Sequence, residues 1–173
     1  NKMEDLLKSN IQKLIEEKSY SKDVQDILKL ISNDKMYFSE IKAIMDECSS
    51  DKIEIKKELV NVVYDYIELC LEDGLVTKEE LSTVKKMRLF FGIEEGDSYK
   101  FGIKARIEQL LTVELEKMYD DKVINDEEAL TKVELQALFG LSYEDFYEID
   151  KKIAQKAIKN GANMKDLGSY FDV

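Results

Sequence analysis

Asp73, Glu80, Asp121 and Glu128 are the residues of this 173-residue chain whose types and spacing come nearest to a recognisable chemistry. The run Asp73-Gly74-Leu75-Val76-Thr77-Lys78-Glu79-Glu80 fits the second half of a calcium-binding EF-hand loop. In that register Asp73 is the fifth residue, Gly74 the sixth, Val76 the apolar eighth, Thr77 the ninth and Glu80 the bidentate twelfth. The first half does not fit, because its first and third ligand positions fall on Leu69 and Leu71. A copy 48 residues further on places Lys117 and Tyr119 there and Lys122 at the glycine. A hard cation takes six to eight oxygens, whereas this turn offers Asp73, Thr77, Glu80, Glu72 and a few carbonyls. The plainer reading is a helical turn in which Thr77 and Glu80 form a capping box. If a cofactor binds, the expectation is a divalent cation, Ca or Mg, at Asp73, Glu80, Asp121 and Glu128.

Other chemistries are closed by composition. The chain has no histidine, so Ser-His and Cys-His nucleophiles and His-containing zinc sites are unavailable. No GxGxxG or GxxxxGK[ST] loop occurs, and Gly92, Gly96 and Gly102 lie in an acidic stretch that would repel phosphate. Carboxylate pairs remain as acid and base, but nothing in the sequence sets one carboxyl apart in an apolar pocket, so no catalytic residue is assigned and the chain is read as a non-enzyme. Cys48 and Cys70 fall on apolar stripes and make neither a disulfide framework nor a zinc site; reduced, buried thiols are expected.

Charge narrows the partners. The formal net charge is −11, which disfavours nucleic acid and anionic lipid. Residues 94–150 hold 16 acids and 6 bases, a balance of −10, whereas residues 151–173 hold 2 acids and 5 bases, a balance of +3. A protein partner with a basic surface is implied, or else a solvated face that keeps the chain soluble. The longest charge-free stretch, Leu135 to Tyr143, is nine residues, too short to cross a bilayer, so membrane association is expected only through a partner. A cytoplasmic location is expected, and a chain that opens on Asn1 reads as a fragment or a processed product.

These residues must be carried by helices. There is no Pro or Trp and only 7 Gly, too few turn residues for a many-stranded sandwich. Apolar residues recur at helical spacing: Met3, Leu6, Leu7, Ile11, Leu14 and Ile15, then Val24, Ile27, Leu28 and Ile31 behind a Ser21 cap, then Phe38, Ile41, Ile44, Met45 and Cys48. From about Asp51 to Glu72 a long stripe, Leu59, Val62, Val63, Tyr66, Ile67 and Cys70, ends at Asp73-Gly74, and a helix carrying Leu81, Val84, Met87 and Phe91 runs to Gly92. Shifted by 48 residues, Leu59, Val62, Val63, Ile67 and Cys70 meet Ile107, Leu110, Leu111, Leu115 and Met118. In that register Asp73 meets Asp121, Thr77 meets Asn125, Glu79 and Glu80 meet Glu127 and Glu128, and Phe91-Gly92-Ile93 meets Phe139-Gly140-Leu141. Two helical hairpins follow, each covering an apolar face the other cannot bury alone. A helix with Tyr143, Phe146, Ile149, Ile153, Ala157 and Ile158 closes near Gly161, and a short turn around Met164, Leu167, Tyr170 and Phe171 ends the chain. The expected fold is all-α: one compact multi-helix domain of eight or nine helices with two pseudo-repeated hairpins. Its parts are N-terminal helices over 1–50, a first hairpin over 51–98, a second over 99–161 and a C-terminal turn over 162–173.

The run Tyr64 to Glu80, with its Glu72-Asp73-Gly74 turn and the Glu-bearing helix behind it, resembles TerB-like tellurite-resistance domains. The resemblance covers at most residues 51–160 and departs from the family at Glu72, where alanine is usual, and at Lys122 in the second turn. It implies an all-helical fold of paired helices, a stress-response setting with membrane-linked complexes, and divalent-metal binding at Asp73 and Glu80 with Asp121 and Glu128 as their counterparts. The functional expectation is a non-catalytic acidic helical module that docks a basic partner. The alternative is an acidic inhibitor whose carboxylates imitate a phosphate backbone and block the basic groove of a nucleic-acid enzyme.

Overall fold

The structure, a computed structural model, describes residues 2–33, 38–47, 51–72, 74–119 and 130–160. Among them are nine helices: α1 (Lys2–Glu17), α2 (Lys22–Ser32), α3 (Phe38–Glu47), α4 (Lys52–Glu72), α5 (Lys78–Phe91), α6 (Asp97–Lys100), α7 (Lys104–Met118), α8 (Lys132–Phe139) and α9 (Tyr143–Lys159). No strand occurs among the described residues, and the all-α fold read from the sequence is what the chain adopts.

Local chemistry sets most of the boundaries. Ser21 caps α2 by accepting the Val24 N–H at 3.3 Å, and Asp51 accepts the Ile53 N–H at 3.0 Å where α4 begins. Thr77 and Glu80 complete a reciprocal capping box at the start of α5, and Gly92, at φ +66°, closes that helix in the left-handed conformation that glycine adopts without steric cost.

One helix organises the rest. α4 buries Ile55, Leu59, Val60, Val62, Val63, Tyr64, Tyr66, Ile67, Leu69, Cys70 and Leu71, far more than one stripe. A helix apolar on most sides belongs inside a domain, and α4 touches α1, α2, α3, α5 and α7. Burial extends beyond the expected stripe to Val60, Tyr64, Leu69 and Leu71. Cys70 is buried as expected, while Cys48 lies outside the described residues.

The repeat is kept in its apolar stripe but not in its pairing: α4 packs on α5, whereas α7 packs on α9 rather than on α8, so the second expected hairpin is not a packed pair among the described residues. Leu59, Val63 and Ile67 and their counterparts Ile107, Leu111 and Leu115 are all buried, and Gly92 and Gly140 share one left-handed closing geometry, φ +66° and +61°. The second capping box, however, is built by Thr131 and Glu134, 54 residues after Thr77 and Glu80 rather than 48. α8 therefore has 8 residues where α5 has 14. Asn125, Glu127 and Glu128, the counterparts expected for the first cap, lie outside the described residues, as do Asp121, Lys122 and the C-terminal turn over 162–173. The two copies lean on each other through α4 against α7 and α5 against α8, while α7 packs chiefly on α9.

The acidic stretch after Gly92 holds an element with no counterpart in the sequence reading. α6 is a single turn whose Asp97 is buried, accepting the Glu94 N–H at 2.8 Å and pairing with Lys56 at 3.1 Å.

Candidate functional site

The turn between α4 and α5 carries the expected site, and of its four carboxylates the structure describes Glu80; Asp73, Asp121 and Glu128 lie outside the described residues. Glu80 is committed to the cap. Its Oε1 accepts the Thr77 N–H at 2.9 Å, and the side chain is almost wholly buried. Among the described residues no group of three or more His, Cys, Asp or Glu is arranged to hold a metal ion.

Two side chains of α7, one turn apart, reach this turn from the second copy. Lys117 Nζ donates to the carbonyls of Leu71 at 2.7 Å and Gly74 at 3.0 Å, placing an ammonium over the end of α4, where the helix dipole favours a cation. Glu114 Oε1 accepts the Val76 N–H at 3.3 Å, and its Oε2 has no hydrogen-bond partner among the described residues. Glu114 is 1% exposed. Burial pushes its carboxyl up to about 7 against the opposing pull of the Val76 N–H and Lys117, with Glu80 adding to the rise. The sequence reading found no carboxyl set apart by an apolar setting; Glu114 is one. The sign was present in the 48-residue register, where Glu114 falls opposite the buried Tyr66: an acid on an apolar stripe.

A second polar centre runs along α4. Glu54, Glu58, Asn61, Asp65, Glu68 and Glu72 follow one another at spacings of four and three, so they form a row on one side of the helix. Arg106 of α7 closes the middle of the row, donating to Asp65 Oδ1 at 2.6 Å and Glu68 Oε2 at 2.8 Å. Those hydrogen bonds hold the guanidinium charged despite its partial burial. Tyr20 donates to the other oxygen of Asp65 at 2.7 Å, and burial together with that carboxylate pushes its phenol far above the ordinary range. At the N-terminal end of the row Glu58 accepts the Ser21 N–H at 2.6 Å. There Ser21, Glu54, Ile55, Lys57, Glu58 and Asn61 line an open groove of about 310 Å³.

Two further clusters centre on buried residues, the first joining the two copies and the second lying within 99–161. Arg88 donates to the carbonyls of Ala137 at 3.1 Å and Leu138 at 2.5 Å at the end of α8, and to the Tyr64 hydroxyl at 3.3 Å. Tyr64 in turn donates to the Phe139 carbonyl at 2.8 Å and lies 2.7 Å from Ser98 Oγ. In α9, Asp150 accepts from the Tyr119 hydroxyl and pairs with Lys132 at 3.0 Å. Of the acids in 94–150, Asp97, Glu114 and Asp150 are thus buried, which removes three charges from the surface that a phosphate imitation would present.

Comparison with protein-family models, curated proteins and solved structures gave no match. Among the described residues no helix is long and apolar enough to cross a membrane.

Proposed function

We propose that the chain is a non-catalytic interaction module that docks a basic protein segment along α4. The observation that supports this is the row Glu54, Glu58, Asn61, Asp65, Glu68 and Glu72, whose middle already receives one guanidinium, that of Arg106. Planar guanidinium suits paired carboxylates, and a further pair one helical turn apart, Glu54 and Glu58, lies toward the N-terminus of α4 beside the groove. A Lys- or Arg-rich segment laid along the N-terminal half of the helix would meet the carboxylates of Glu54 and Glu58 one turn apart. The TerB-like stress-response setting and a cytoplasmic location belong to the same proposal, supported by the helix, short turn and Glu-bearing helix of residues 64–80.

Fluorescence anisotropy with a labelled oligo-arginine peptide tests it. The expected result is binding that weakens as salt is raised, reduced at least about tenfold in E54K/E58K and little changed in E95K, whose exposed side chain does not line the groove. No binding by the wild type, or equal losses in both variants, would overturn the reading.

A further inference from the structure

We propose that Glu114 is a proton-operated latch between the two helical copies, holding the α4–α5 turn against α7 when its carboxyl is neutral and releasing it when ionised. The proposal stands on geometry: a carboxyl 1% exposed, one oxygen on the Val76 N–H, the other without a partner among the described residues. A neutral carboxyl leaves one hydroxyl unpaired in such a pocket, a smaller cost than an unpaired charge. An ionised one leaves a charged oxygen buried without compensation, a state relieved by swinging into water and giving up Val76.

The surrounding charges agree. From α5 Glu80 faces Glu114 as a like charge, and from α7 itself Lys117 faces it as the opposite one, with its ammonium engaged on Leu71 and Gly74. From α4, Tyr66 stands beside Glu80 and is kept neutral, because burial pushes its hydroxyl far up. In α9, Asp150 is occupied with Tyr119 and Lys132. Burial and Glu80 outweigh Lys117 and the Val76 N–H, so the carboxyl titrates at about 7 when latched against 4.5 when free.

Linkage then fixes the window. The latch is fully favoured below about 4.5 and loses its proton-linked advantage as pH rises to about 7, beyond which the balance levels off. Amide hydrogen exchange of the whole chain reads this at Val76, whose N–H donates to Glu114. Its protection factor, corrected for intrinsic exchange, is expected to fall by about tenfold per pH unit across that window, up to roughly 300-fold in all. In E114Q, which keeps an acceptor for Val76 but cannot ionise, the profile is expected to be flat. E80Q, whose glutamine still serves the capping box, should level off at a lower pH, and K117M at a higher one. A flat wild-type profile, or the same profile in wild type and E114Q, overturns the latch. Should E114Q not fold, levelling at one common pH in wild type, E80Q and K117M overturns it equally.

Discussion

Arg88 lies against Gly140: a Cβ built on the glycine would fall 2.9 Å from the guanidinium carbon. The contact exists because Arg88 reaches from α5 to the last carbonyls of α8, and Gly140 is the residue that ends that helix. Gly92 provides the control, having the same left-handed conformation and nothing within 4 Å of its would-be Cβ. G92A is expected to cost about 1 kcal/mol, the backbone strain alone. G140A is expected to cost more, about 1–3 kcal/mol, since the guanidinium must also shift and its hydrogen bonds to the Ala137 and Leu138 carbonyls weaken. Urea denaturation checks both, and in an R88M background the extra cost at position 140 should shrink, a coupling that additive sites do not show.

Asp97 supplies a pH dependence opposite in sign to that of Glu114. Against the cost of burial, the Glu94 N–H, Lys56 and Lys100 hold its carboxyl below the usual value of 3.8. Its contribution is present above that value and is lost as pH falls further. Thermal melting between pH 2 and 5 should show a falling limb that is flatter in D97N, whereas E114Q should alter only the limb between about 4.5 and 7.

Asp150 is the shared acceptor of Tyr119 and Lys132. D150A is expected to lower stability by roughly 2–4 kcal/mol by chemical denaturation, and D150N, which keeps a carbonyl oxygen for Tyr119, by less. Equal costs would show that the carboxylate does not act as the junction.

The repeat makes a paired prediction. Ile67 and Leu115 are equivalent and both fully buried, so I67A and L115A should each cost about 2–5 kcal/mol. If one copy were peripheral, its alanine variant would cost less than about 1 kcal/mol.

Helix types and most boundaries were legible in the sequence because apolar spacing and caps are local signals: Ser21, Thr77 and Gly92 act where their types suggested. The second cap was misplaced because a fixed 48-residue shift ignores the six residues by which α8 is shorter than α5, while Thr131 and Glu134 carried the same motif in plain view. The polar centres were harder to see. Arg88, Glu114 and Asp150 each sit at stripe spacing beside Val84 and Phe91, Leu111 and Met118, and Phe146 and Ile153. A charge on an apolar face has no partner in its own helix, so its role depends on a helix remote in sequence. Glu80, expected as a ligand, forms the capping box of its own turn.

Because the Tyr119 hydroxyl and the Lys132 ammonium converge on one carboxylate, the chain leaves α7 and enters α8 at a common fastening point. The end of α7 and the start of α8 are therefore tied to α9 by a single group, and in D150A amide exchange at Tyr119 and at Lys132 should rise together, the two helix ends coming undone as one.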